Sequence, residues 1–364
     1  MKKNTTLWLV ISMLIVSSMI LAACGAPETV EVIKEVEVIK EVEVEVEAPA
    51  AAMPAEPVTL NWNFSTEPPS LDPSLATDTT SIDVVGNTFM GLTKFDPVSG
   101  EIAPYLATEW ESGEDADGNQ TWTFHMREDV AWVNFNPITG ETAQVTDADG
   151  NPRFTNAHDV VYGTKRTIDP ATASDYSYVL YIVKNAQAIN GGSEELTIDD
   201  LGVVAVDDYT VQFTLERPAG YFPAIAGMWI AYGMPQWAIE EFGNKWTEAG
   251  FIVTNGPYVV ESWIHGGELN LAKNPLWINA DDVQIERVAG LMIQEESTAF
   301  ALYENGELDT VGVPLPEMDR VKADPVLSAD YTEAPYPCTY YYAFSNTKPP
   351  FDDVRVRAAF TQAI

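Results

Sequence analysis

Cysteine is almost absent from this chain: Cys24 and Cys338 are the only two among 364 residues. A disulfide-stapled core is excluded on that count. Cys338 lies among prolines and tyrosines with no basic neighbour to lower its pKa, so it is no candidate nucleophile. Histidine is as scarce. His125, His158 and His265 are far apart and none stands in an H-x-x-x-H spacing, which argues against a zinc site. Positive charge is short as well, 19 Lys and Arg against 55 Asp and Glu, for a formal net charge of −36. So acidic a surface repels nucleic acid and anionic lipid, and neither is expected as a partner.

Reaction motifs are missing too. There is no G-x-S-x-G elbow, phosphate loop or dinucleotide fingerprint. Asp-Ala-Asp-Gly-Asn occurs twice, from Asp115 and from Asp147, and resembles the start of a calcium loop. The bidentate glutamate needed at the twelfth position is absent; Met126 and His158 stand there, so both read as Asp-Gly turns. Catalysis finds no support in these motifs, and neither a metal nor a cofactor is expected.

What is present begins with an address. Lys2 and Lys3 precede an apolar run from Leu7 to Leu21, too short to favour a bilayer-spanning helix. Leu21-Ala22-Ala23-Cys24 matches a bacterial lipobox, so residues 1–23 read as a lipoprotein signal peptide and Cys24 as the lipidated residue. That implies a lipid anchor on the outer face of the cytoplasmic membrane. Residues 24–57 carry VEVIKE, VEVIKE and VEVEVE and then an Ala/Pro tract, which read as a stalk reaching at most about 110 Å.

From Val58 onward the composition is globular, 46% hydrophobic and 11% aromatic over the chain, and long enough for more than one domain. Its most legible stretch is NGPYVVESWIHGGELNLAKNPLW, Asn255 to Trp277. Asn255-Gly256-Pro257 is loop chemistry, Tyr258–Ile264 is rich in β-branched and aromatic residues, and Gly266-Gly267 suits a two-residue turn. Glu268–Lys273 alternates polar with apolar and ends at Asn274-Pro275, where pairing must stop. The expectation is a β-hairpin.

The wording of that hairpin resembles the family 5 extracellular solute-binding proteins, the peptide- and nickel-type receptors of ABC importers. The resemblance extends to Leu71-Asp72-Pro73 after an aromatic strand (Val58–Phe64), to GLTKFDPVSGEIAPYLATEWE (Gly91 to Glu111), to the TWTF of a strand over Trp122–Arg127, and to SNTKPPFDDVRVRAAFTQAI at the end. It implies an α/β, bilobal fold of the periplasmic-binding-protein type II kind with an extra subdomain. On that reading 58–340 is the first lobe, roughly 95–200 the inserted subdomain, and 341–364 the start of a second lobe that is largely missing.

Between the recognisable stretches, a helix is expected over Asp83–Met90, ended by Gly91. Residues 135–151 interrupt the family pattern before a helix that Thr155 is placed to cap; the family's acidic third helical position is taken by His158. Strand signals flank Asp207-Asp208, a helix opens at Pro235, and Gly290–Gln294, Leu308–Val313 and Thr339–Ser345 read as strands around a helix over Ser297–Asn305 capped by Gly306. Val356, Ala359, Phe360, Ala363 and Ile364 form an apolar helix face with no stop signal after it, which is expected of an N-terminal fragment.

Candidate ligand contacts are Trp62, Asn63 and Phe64 at the end of the first strand, Asn255 at the head of the hairpin, and Tyr340 and Tyr342 near the crossing between lobes. Aromatics line clefts between domains, but they also fill cores, and for each of these residues both readings stand. The resemblance implies capture of a small solute, an oligopeptide first and an oligosaccharide next, and delivery to ABC permease and ATPase subunits. A stalked surface hydrolase or adhesin is the reading from another class.

Overall fold

A computed structural model describes residues 58–333, 339 and 341–364. The expected signal peptide, Cys24, the stalk and Tyr340 lie outside the described residues. Along the chain, β1 (Thr59–Asn63) leads to α1 (Thr79–Thr88), the short pair β2 (Thr93–Phe95) and β3 (Ile102–Pro104), then β4 (Ala107–Glu114) and β5 (Gln120–Met126). The hairpin β6 (Val133–Asn136) and β7 (Glu141–Gln144) precedes α2 (Ala157–Ile168), followed by β8 (Val203–Asp207), β9 (Thr210–Thr214) and α3 (Gln236–Phe242). Then come β10 (Tyr258–Ile264), β11 (Glu268–Lys273), β12 (Arg287–Leu291), α4 (Glu296–Glu304) and α5 (Val354–Ala363).

Two four-stranded sheets organise these elements. The first runs β1-β12-β11-β10, with β1 parallel to β12 and the rest antiparallel; the second runs β4-β5-β9-β8, all antiparallel. Each has its own core. Phe124, Phe213, Phe222, Leu180 and Ile168 pack against the second sheet, in a cluster that reaches from Met90 to Ala231. That is wider on both sides than 95–200. Phe89, Trp132, Trp246, Val260 and Leu271 fill the core of the first sheet.

The hairpin strands fall where the sequence puts them, but their turn is longer. Ile264 pairs with Glu268, so His265, Gly266 and Gly267 form a three-residue loop. Gly266 takes a φ of 71°, which a side chain would resist, and the Gly267 N–H returns to Ile264 O at 2.9 Å. Helix α1 begins earlier than Asp83, because Asp78 caps it by accepting from Ser81 N at 2.9 Å. It is over by Thr88, before Gly91. Helix α2 is capped by Asn156 rather than Thr155. Its capping box is present one residue later than expected, with Asp159 accepting from Asn156 N at 3.0 Å. Asp159 also accepts from Trp132 Nε1 at 3.0 Å, and burial pushes its carboxyl up to about 6.

The interruption at 135–151 is built on the β6–β7 hairpin, fastened to the segment before β10 by the Val133–Thr254 bridge and by Asn134 Nδ2, which donates to Ile252 O at 2.9 Å. Leu308–Val313 is not a strand. Only Trp62 and Thr310 bridge there, because the Asp309 carboxylate takes the Asn61 N–H (2.6 Å) that a ladder would use. Residues 341–345 are not in a strand either: aromatic alternation is a propensity, and it makes a strand only where a neighbouring edge accepts it. In α5 Phe360 is half exposed, its ring grouped with those of Phe344 and Phe351 at 5.6 and 5.4 Å.

Candidate functional site

The one parallel pair of the first sheet sets the geometry. In open α/β sheets, ligands gather beyond the carboxyl ends of parallel strands, where the chain leaves in diverging directions. Here β1 leaves through Phe64 and Ser65 toward α1, and β12 leaves through Met292 and Ile293 toward α4. Asn63 clasps the two ends: its Nδ2 donates to Ile293 O and its Oδ1 accepts from Ile293 N, both at 2.9 Å. The same Oδ1 accepts from Ser65 N at 3.0 Å and holds Ser65 at a φ of 65°. Thr80 Oγ1 then donates to Phe64 O at 3.2 Å, which sets the amino end of α1 beside the end of β1.

The candidate residues separate under this geometry. Trp62 is half-buried and stacks on Phe64 with ring centroids 5.3 Å apart. Phe64 is buried in the core of the first sheet, and Asn63 is occupied by the Ile293 main chain. Asn255 does not join them. It binds Thr88 O at the far end of α1, about 15 Å along a ten-residue helix from the capped end. Only 1% exposed, it accepts from Met90 N and donates to Thr155 Oγ1, so its side chain braces the junction of α1, α2 and the hairpin. Tyr342 is exposed on the segment before α5.

Residues that the sequence reading passed over stand close to the capped end of α1. The Trp229 indole donates to Ala76 O at 2.9 Å, two residues before the capping Asp78. It packs against the cores of both sheets and so marks the seam between them. Tyr176 lies 5.4 Å from Trp229 and 5.7 Å from Tyr178, and Tyr178 is exposed. Together they make an aromatic shelf at the seam, the kind of wall that holds a ligand's apolar parts. The only sequence signal was the tyrosine spacing 176, 178, 181, which by itself is compatible with a core.

Beside the loop after β1 lies a groove of about 690 Å³, lined by residues 67–75, 239–248 and the hairpin tip. Asp72 forms its closed side. Arg166 grips both carboxylate oxygens at 2.7 and 2.6 Å, and Trp246 Nε1 donates to one of them at 3.2 Å. The acid of the Leu-Asp-Pro motif is thus consumed in fastening the loop to α2. At the open side His265 joins Glu67 (2.6 Å) and Glu248 (3.0 Å), and these hydrogen bonds raise its pKa above the usual histidine value. Among the described residues no group of His, Cys, Asp and Glu is arranged to hold a metal ion.

His265 ties three segments together only while it carries its proton. A raised folded-state pKa means the clasp contributes fully below the unfolded value and fades as pH rises through the folded one. The melting temperature of the wild type should therefore fall relative to His265→Gln between about pH 5.5 and about pH 9. Thermal melts at matched ionic strength check this, and a constant difference across that range would show the clasp to be inert.

Comparison with known proteins adds the following. Residues 101–364 match the profile of the bacterial extracellular solute-binding proteins, family 5 Middle. The chain is 36% identical over 315 residues to the periplasmic oligopeptide-binding protein OppA of Escherichia coli K12, covering 86% of this chain and 54% of that protein. It is 32% identical over 368 residues to the oligopeptide-binding protein OppA of Bacillus subtilis, covering 100% of this chain and 60% of that one. It thus spans little more than half the length of the curated relatives it matches. Among solved structures, Burkholderia pseudomallei OppA superposes with a TM-score of 0.71 at 31% identity, over 84% of this chain and 55% of that one. Haemophilus influenzae OppA in complex with RPPGFSPFR does so with a TM-score of 0.70 at 30% identity, again over 84% and 55%.

Proposed function

This chain belongs to the bacterial extracellular solute-binding proteins of family 5, and from that membership we propose that it serves an ABC importer by capturing an oligopeptide outside the cytoplasm. The observation that carries the reading is its likeness, in fold and sequence, to a relative solved in complex with a nine-residue peptide. The site proposed for the peptide is the seam beyond β1 and β12: Trp62 and the shelf of Tyr176, Tyr178 and Trp229 take its apolar side chains. Asn63 and Phe64 act behind them by holding the strand ends, and Tyr342 supplies a further contact from the segment before α5. Capture proceeds by closure over the ligand, a shift of population driven by contacts that only the closed state makes. The loaded protein then docks on the permease, which works with ATPase subunits on the opposite face, and stays tethered to the membrane through a lipid on Cys24.

Calorimetry with a mixed library of free-terminus peptides tests the central claim, with short oligosaccharides as the control. Saturable heat from peptides and none from sugars is expected, and Tyr176→Ala with Trp229→Ala should weaken it at least about tenfold. Heat from sugars alone would move the substrate class to oligosaccharide, and release of cleaved peptide would make the protein a hydrolase. For the anchor, a fatty-acid label should mark the wild type and be lost in Cys24→Ala; equal labelling of both would remove the tether from the reading.

A further inference from the structure

The interruption at 135–151 builds a second groove. With 152–153 it forms one wall, α3 and the following turn form the other, and the volume between them is about 470 Å³. Arg153 and Trp237 stack on each other in its lining, the guanidinium 4.3 Å from the indole ring centroid. The Arg153 main chain is fixed from three sides: its N–H donates to Val145 O (2.8 Å), and its carbonyl accepts from Trp132 N (3.1 Å) and Gln144 Nε2 (3.1 Å). Its side chain is left over. Among the described residues Arg153 enters no ion pair, and its Nε is buried with no hydrogen-bond partner.

What sets Arg153 apart is the buried Nε that no acceptor reaches, in a chain with 55 acidic residues against 19 basic ones. Asp147 and Asp159 feel its charge but make their hydrogen bonds elsewhere: Asp147 accepts from Asp149 N, Asn151 N and Asn151 Nδ2, and Asp159 from Asn156 N and Trp132. An arginine stacked on an aromatic face keeps its in-plane N–H donors free for a carboxylate. The same groove carries the exposed Glu241, and Trp237, Phe242 and Val145 give it an apolar floor. We infer that this groove binds a small zwitterion with an apolar side chain, an amino acid, whose carboxylate meets Arg153 and whose ammonium meets Glu241. It is separate from the peptide site proposed above and stands or falls without it.

Indole N–H signals of the ¹⁵N-tryptophan-labelled full chain test the site, with Trp237 assigned through Trp237→Phe and L-phenylalanine as the probe. The Trp237 signal should shift saturably, with a Kd on the order of 1 mM. N-acetyl-L-phenylalanine, which lacks the ammonium, and L-phenylalanine amide, which lacks the carboxylate, should each bind at least about tenfold more weakly. Arg153→Gln and Glu241→Gln should each produce the same loss. Glu241 is exposed, so its variant keeps the test decisive even where Arg153→Gln disturbs folding. A Trp237 signal that stays still, blocked derivatives that bind as well as the amino acid, or a Glu241→Gln chain with unchanged affinity would each overturn the assignment.

Discussion

Asp72→Ala should cost about 3–5 kcal/mol of folding stability, a fall in melting temperature of roughly 5–10 °C for a domain of this size. The size follows from what is stranded rather than from what is lost. The Asp72 side chain is 4% exposed and that of Arg166 17%, so removing the acid leaves a guanidinium in a site closed to most water. It also orphans the Trp246 indole N–H and the Ser74 N–H, which donates to Asp72 at 2.9 Å. A buried pair is worth little over a well-packed apolar substitute, but half of one is expensive. Asp72→Ala with Arg166→Met should therefore be more stable than Asp72→Ala alone, and a double-mutant cycle in urea measures the difference. Loss of less than about 1 kcal/mol in the single variant, or simple additivity in the double, would show that Arg166 finds water or another partner.

Gly290→Ala should destabilise by about 2–3 kcal/mol, although it adds one methyl to a strand. Gly290 sits in β12 directly beneath the Phe64 ring, and a Cβ there would overlap both that ring and the Leu269 carbonyl. The ring can tilt; the carbonyl, held in the β11–β12 ladder, cannot. Phe64→Leu should accordingly cost less in the Gly290→Ala background than in the wild type, since it removes one of the two collisions. Chemical denaturation of the four proteins reads this out. A neutral Gly290→Ala, within about 0.5 kcal/mol, would place the Phe64 ring away from Gly290 in solution.

These two positions also show what a sequence can and cannot disclose. The β10–β11 hairpin was legible to the residue because propensity, alternation and breakers all agree there. The turn length was not, since Gly266-Gly267 permits a two-residue turn and only the Ile264–Glu268 register rules it out. Helix α1 was read late because Thr79-Thr80-Ser81 are poor helix formers, and its start depends on a cap, Asp78, that has no apolar pattern around it. Leu308–Val313 has strand composition, yet a single side chain, Asp309, occupies the edge it would have joined. The candidate site suffered most. The sequence offers Asn255 as a candidate and passes over Trp229; only the partners they acquire, Met90 and Thr155 for one and Ala76 for the other, separate a brace from a wall.

The parallel pairing of β1 with β12 has a consequence in time. Asn63 must wait for Ile293, 230 residues later, before its clasp can close. At about 5–20 residues per second, synthesis of that stretch takes roughly 10–50 s, far longer than the formation of a helix or hairpin. The second sheet has no such debt, because its whole core lies between Met90 and Ala231 and emerges as one block. Contact order therefore ranks the two sheets: the second can be complete while β1 is still an unpaired edge.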